Sequence, residues 1–223
     1  MNDNLSAFNS NEYDEKIKKT LPFYETIYKQ VMDVVKAYFD KSLKWLDVGC
    51  GTGKMAETAF ESTDISKFVF SDSSAQMIKE VRNRYSRNSE FICTTAEKLQ
   101  CDEKFDVVTA IQVFHYLNEE ERKASIENCY RLLDNGGVFI TFENFSPYSE
   151  VGRELFLKRW KSYQLSQGKT EEESDKHISR YGKGYFPITI SQHLDVLHSC
   201  GFNTAEIFWV SNMQVGLMGI KNG

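Results

Sequence analysis

The chain has 223 residues, 41% of them hydrophobic and 13% aromatic, with a formal net charge of −5. That length suits one α/β domain around one sizeable core. The acidic balance argues against a nucleic-acid partner, which needs a basic face, and no apolar run approaches the ~20 residues of a membrane span. Cys50, Cys93, Cys101, Cys129 and Cys200 show no paired spacing, which reads as reduced thiols rather than a metal site. The opening MNDNLSAFNS has no apolar segment of the leader-peptide kind. The expectation is a cytoplasmic protein, monomer or homodimer.

Residues 1–11 are polar. From Glu12 to Tyr38 a helical period runs through Ile17, Leu21, Tyr24, Ile27, Tyr28, Val31, Val34, Val35 and Tyr38, broken at Leu21–Pro22. Two roles are open for this N-terminal part, residues 1–43. It packs on a sheet, or its first piece folds over a ligand as a lid carrying Tyr13 and Tyr24.

Lys44 to Lys54 reads KWLDVGCGTGK. Trp45, Leu46 and Val48 suit a buried strand. Gly49, Gly51 and Gly53 then let the backbone turn sharply and let a ligand lie on it. A helical pattern follows to about Glu61. Strand, glycine turn and helix make a nucleotide-binding corner. The dinucleotide pattern G-x-G-x-x-G fails, because Lys54 stands at its third glycine, and no Gly-Lys-Ser/Thr completes a P-loop. Phe68-Val69-Phe70 is a second strand ending at Asp72, nineteen residues after Gly53. An acid there accepts hydrogen bonds from ribose hydroxyls. Asp72 also fits the N-cap of the helix opened by Ser73-Ser74. Phe91-Ile92-Cys93 is a third strand. Phe105 to Ile111 is a fourth, ending in Gln112-Val113-Phe114-His115-Tyr116-Leu117, at the end where doubly wound sheets bind ligands. Asn118 caps a helix to about Leu133. Asp134-Asn135-Gly136-Gly137 predicts a turn, and Val138 to Glu143 a fifth strand.

Residues 145–188 leave the α/β rhythm. Glu150 to Leu165 is helical, Gly168 to Lys176 is a polar loop or solvated helix, and Arg180 to Pro187 is rich in glycine and aromatics. Those aromatics shape a pocket or pack as core under a loop. Thr189 or Ser191 caps a last helix, His193 to Ser199, which ends at Gly201-Phe202. Glu206 to Val210 and Met213 to Ile220 predict two antiparallel strands.

The run D-x-G-x-G-x-G from Asp47, D-S-S-x-x-M from Asp72 to Met77, the F-D start at Phe105, the L-x-x-G-G stretch from Leu133 to Asn144 and the G-F…I-F-W tail resemble the class I S-adenosylmethionine (SAM)-dependent methyltransferases. The resemblance covers residues 44–220. It implies an α/β fold: a doubly wound Rossmann-like three-layer sandwich with a seven-stranded, mostly parallel sheet, an antiparallel C-terminal strand, N-terminal helices and a helical insertion before the last helix. It implies one domain of 1–223, with a cap at 1–43, a cofactor core at 44–144, a substrate cover at 145–188 and a closing part at 189–223. Its cofactor is SAM. Asp47, Gly49, Gly51 and Gly53 surround the methionine part, Asp72, Ser73 and Met77 the ribose side, and Thr95, Ala96 and Glu97 the adenine, where Thr95 stands at a position commonly Asp. Gln112 closes the catalytic end of the fourth strand.

Within the family, LPFYETI, the stretch from Glu121 to Phe145 and GFNTAEIFW are distantly similar to carboxy-SAM synthase, which carries an Arg for the extra carboxylate before its last helix. Phe186 falls there, so plain SAM is expected. The implied reaction is methyl transfer to a small-molecule acceptor, in which the protein places a nucleophile in line with the S–CH₃ bond. His115 is the candidate general base, since His titrates near neutrality; it also fits a packed structural role. Tyr13, Tyr116 and Glu143 follow it. A binding-only SAM protein and a cofactor-modifying enzyme are the alternatives. Hydride chemistry is disfavoured by Lys54.

Overall fold

The structure, a computed structural model, describes residues 10–85 and 89–222. The order is α1 (Ser10–Lys18), α2 (Tyr24–Tyr38), β1 (Leu43–Val48), α3 (Lys54–Ser62), β2 (Ile65–Asp72), α4 (Ala75–Arg84), β3 (Ser89–Cys93), β4 (Phe105–Ile111), α5 (Glu119–Leu132), β5 (Leu133–Asn144), α6 (Glu150–Ser166), α7 (Glu171–Ile178), α8 (Ile190–Ser199), β6 (Thr204–Ser211) and β7 (Gln214–Ile220). The strands form one sheet in the order β3-β2-β1-β4-β5-β7-β6. β1 to β5 run parallel, β7 runs antiparallel to β5, and β6 pairs antiparallel with β7. The strand order reverses between β1 and β4, and a crevice opens there at their carboxyl ends.

The central strands are apolar on both faces because both are covered. Trp45, Phe68 and Phe70 face the helices α2, α3 and α4, with Trp45 stacked on Phe68 at 6.0 Å. Leu46, Val69 and Val108 face α5 and α8. Alternation along a strand thus divides its side chains between two cores. Helix α2 buries Tyr24, Ile27, Tyr28, Val31, Met32 and Val35, so this part of the N-terminal region is a packing helix. The break at Pro22 is real: Phe23 takes a left-handed conformation (φ 59°) between α1 and α2.

Two boundaries differ from expectation, at Asp134–Gly137 and at the start of the last helix, and one open alternative, loop or solvated helix after Gly168, is decided. Asp134–Gly137 is not a free turn but the first part of β5. Gly136 N–H donates to Lys221 O (2.7 Å) and Lys221 N–H to Gly137 O (3.0 Å), so the end of the chain recruits it. The polar segment after Gly168 is helical as α7, because Thr170 and Glu173 form a reciprocal capping box. The last helix starts at Ile190, earlier than His193, because Thr189 and Gln192 form another. All five cysteines are free thiols, and no group of metal-ligating side chains occurs among the described residues. No helix there is long and apolar enough to cross a membrane.

Candidate functional site

β1 delivers its last residue, Val48, to a loop in which Gly49, Gly51 and Gly53 all have positive φ. Two of them show different demands. A Cβ on Gly49 would lie 2.5 Å from Val113 Cγ2, so the loop touches the end of β4 through bare backbone. A Cβ on Gly51 would meet nothing within 4 Å, so here the backbone faces open space. That space is a cavity of about 360 Å³, within the usual range for small-molecule sites.

Most of the expected residues converge on it. Gly49, Gly51, Asp72, Ser73, Met77, Thr95, Ala96, Glu97, Gln112 and Tyr13 all line the cavity, together with Val113, Tyr116, Leu117 and Glu121. Asp72 is tied by both oxygens: Oδ2 accepts from Gly51 N–H (2.9 Å) and Oδ1 from Ser74 N–H (2.8 Å). The N-cap itself is Ser74, which accepts from Met77 N–H (3.1 Å). Asp72 therefore clamps the glycine loop to the start of α4 on the wall of the cavity. Thr95 Oγ1 donates to Glu97 Oε1 at 2.6 Å. The carboxylate absent at position 95 is supplied two residues later.

Among the described residues the charged lining is acidic: Asp72, Glu97 and Glu121, with no Lys, Arg or His beside them. Such a donor set suits hydroxyls, amines and cations and lacks the basic side chains that hold phosphates. Gly49, Gly51 and the acidic wall thus fit a phosphate-free, positively charged nucleoside ligand such as SAM.

Two expected cofactor residues lie elsewhere. A Cβ on Gly53 would clash with Tyr85 and Val81 at 2.7 Å, so this glycine packs α3 against α4. Asp47 is buried behind the loop, accepting from Thr109 Oγ1 (2.7 Å), which accepts from Trp45 Nε1–H (2.9 Å). Burial pushes its carboxyl up to about 7; the Thr109 bond opposes this and nearby Asp72 adds to it. Asp47 faces a smaller cavity of about 30 Å³, shared with Tyr13, Tyr24, Tyr28 and Lys54.

Of the two roles read for His115, general base or packed structural residue, its position in the structure fits the second. The residue is 0% exposed and absent from the cavity wall. Its Nδ1 lies 2.7 Å from Glu143 Oε2, and its ring packs 4.3 Å from that of Tyr116. A base must reach the proton it removes, and this imidazole points into the core. Tyr13 does reach the cavity, from a helix held by Asp14, which accepts from Thr52 Oγ1 (2.7 Å) and Arg84 (3.3 Å). Burial raises its phenol well above the ordinary tyrosine value, which keeps it neutral. Burial likewise pushes Tyr116 up to about 12. Glu121 went unnoticed in sequence; its only signal is its place three residues after the cap Asn118, whose N–H it accepts (3.1 Å).

Residues 46–137 match the protein family described as a methyltransferase domain. The chain is 26% identical to carboxy-S-adenosyl-L-methionine synthase of Staphylococcus epidermidis, over 95% of this chain and 93% of that protein. It is 24% identical to malonyl-[acyl-carrier protein] O-methyltransferase of Bacillus anthracis, over 77% of this chain and 60% of that one. Among solved structures, the plantazolicin methyltransferase BpumL in complex with SAH superposes with a TM-score of 0.70 at 17% identity, covering 96% of this chain and 89% of that one. The last similarity bears on the fold.

Proposed function

We propose, from the premise that the chain belongs to the class I SAM-dependent methyltransferases, that it methylates a small-molecule acceptor at the cavity lined by the glycine loop, the 112–117 turn and Tyr13. The observation that carries this reading is the pairing of open backbone at Gly51 with a wall whose charges, among the described residues, are carboxylates. The glycine loop would hold the methionine part. Asp72 would accept from the ribose hydroxyls, and the Thr95–Glu97 pair would accept the exocyclic amine of adenine. When bound, the cofactor supplies a methyl group already activated on a sulfonium. The chain's own residues bind, orient and exclude water, and orientation alone can supply roughly 7–11 kcal/mol of such a barrier. With His115 buried, an acceptor whose nucleophile is already deprotonated at neutral pH is favoured. We further read the protein as cytoplasmic, a monomer or homodimer, with residues 1–43 as cap and 145–188 as acceptor cover.

A second reading, formation of carboxy-SAM, is favoured by the similarity to the Staphylococcus epidermidis synthase along nearly the whole chain. Against it stands Phe186, whose N–H donates to His115 O (2.6 Å) and which offers no charge. Native mass spectrometry of the purified protein separates the readings by the mass it carries: SAM or S-adenosylhomocysteine for the first, carboxy-SAM for the second. Transfer of labelled methyl from SAM into a metabolite extract then tests the first directly. No binding of any of the three would sink both.

A further inference from the structure

Glu143, near the end of β5, is 0% exposed. Its Oε2 accepts from His115 N–H (2.9 Å) and lies 2.7 Å from His115 Nδ1; its Oε1 accepts from Phe114 N–H (3.1 Å). Thr141 Oγ1 lies 2.8 Å from Oε1 and 2.8 Å from Ala110 O, so one hydroxyl proton is shared between them. A buried carboxylate is stable only when its lone pairs are met like this. Burial alone would raise its pKa, but the His115 contacts prevail and hold it below the usual range.

The backbone that Glu143 grips is the turn after β4, and that turn is the wall of the cavity. Gln112, Val113, Tyr116 and Leu117 all line it. Gln112 has φ 61°, a left-handed conformation costly for a non-glycine residue, and its N–H donates to Phe142 O (2.7 Å). Val113 fills the space that Gly49 leaves. The opposite side of the turn holds the insertion. His115 O accepts from Phe186 N–H, and Arg122 donates to Phe114 O (3.0 Å), Leu117 O (3.2 Å) and Phe186 O (2.5 Å).

We infer that Glu143 is the positioning residue of this site: paired with His115, its carboxylate sets the 112–117 turn, so that the cofactor wall and the insertion are held in register. Glu143 stands behind the cavity wall and acts through the turn. The inference rests on the cofactor reading above. The chemistry is specific to a carboxylate, since every donor that faces it needs an acceptor. An amide of the same shape turns an NH₂ toward a backbone N–H whichever way it flips, and one side of the grip is lost.

The test is the affinity of the full chain for S-adenosylhomocysteine, measured by calorimetry on variants matched for folding by circular dichroism. Glu143→Gln should weaken binding at least tenfold. His115→Leu, which removes the side-chain donor, should weaken it severalfold, while His115→Asn, which keeps a donor at the Nδ1 position, should recover most of the affinity. The double variant Glu143→Gln with His115→Leu should be little weaker than Glu143→Gln alone, because the two act as a unit. A folded Glu143→Gln protein binding within twofold of the parent overturns the inference. So does equal weakness of His115→Asn and His115→Leu, a pair that decides the matter even if Glu143→Gln does not fold. A parent protein that fails to bind S-adenosylhomocysteine overturns the cofactor reading itself, and the inference with it.

Discussion

The cofactor half and its cover are built by different means. Between β1 and α5 the site is made of backbone turned by short local patterns. Glycines take positive φ, Asp72 reaches Ser74 and Thr95 reaches Glu97, each two residues away; the bond of Asp72 to Gly51 reaches 21 residues back. The cover, α1 with the 145–188 insertion, is assembled by bonds between residues far apart in the chain. Trp160 Nε1–H donates to Thr20 O (2.6 Å), Tyr163 O–H to Leu21 O (3.3 Å), and Lys169 Nζ to Thr20 Oγ1 (3.2 Å). On the proposed reading, this second half is the acceptor cover. If that reading holds, changes in the first half alter cofactor affinity and changes in the second leave it nearly intact.

The largest effect is expected from Gly49→Ala. Its methyl would overlap Val113 at 2.5 Å in a left-handed conformation. Overpacking and backbone strain together should cost roughly 2–4 kcal/mol, read as a lower denaturant midpoint, and SAH binding should be lost. Next comes Asp72→Ala, which removes the clamp and the ribose acceptor. We expect S-adenosylhomocysteine to bind on the order of 100-fold more weakly, the loss of charged hydrogen bonds worth ~1.5–3 kcal/mol each. Unchanged affinity in calorimetry would refute the ribose assignment.

Asp47 tests the interior of the same half through pH. Its folded pKa is raised from 3.8 to about 7. The protonated form is therefore favoured in the folded state, and its contribution is full below about pH 4 and lost as the pH rises through 7. The parent should lose roughly 2 kcal/mol from this group between pH 5 and pH 7. Asp47→Asn should flatten that slope in urea titrations; an identical slope would show that Asp47 is not the titrating group. The smallest effect on binding should come from the cover. Trp160→Phe keeps an aromatic ring but drops the N–H to Thr20 O and shrinks a fully buried side chain, which should cost roughly 1–3 kcal/mol of stability and leave S-adenosylhomocysteine affinity within twofold. A loss as large as that of Asp72→Ala would mean that the halves are one unit.

What the sequence by itself determined is the part governed by local rules. The glycine spacing, the acid at the end of β2, the caps at Asn118 and Thr189 and the order of strands and helices follow from residues within a few positions of one another. Ten of the expected contacts accordingly fall on one cavity. Tertiary structure decided the direction in which side chains point. His115 stands in the segment where a base was expected, yet it turns to Glu143, twenty-eight residues on, because that buried carboxylate needs donors more than the cavity needs a base. Asp134–Gly137 has the composition of a turn, yet Lys221 at the far end of the chain draws it into β5. Gly53 belongs to the loop in sequence and to the α3–α4 contact in space. In each case a distant partner supplies a hydrogen bond or a packing surface whose energy exceeds the local preference, and no spacing along the chain records it.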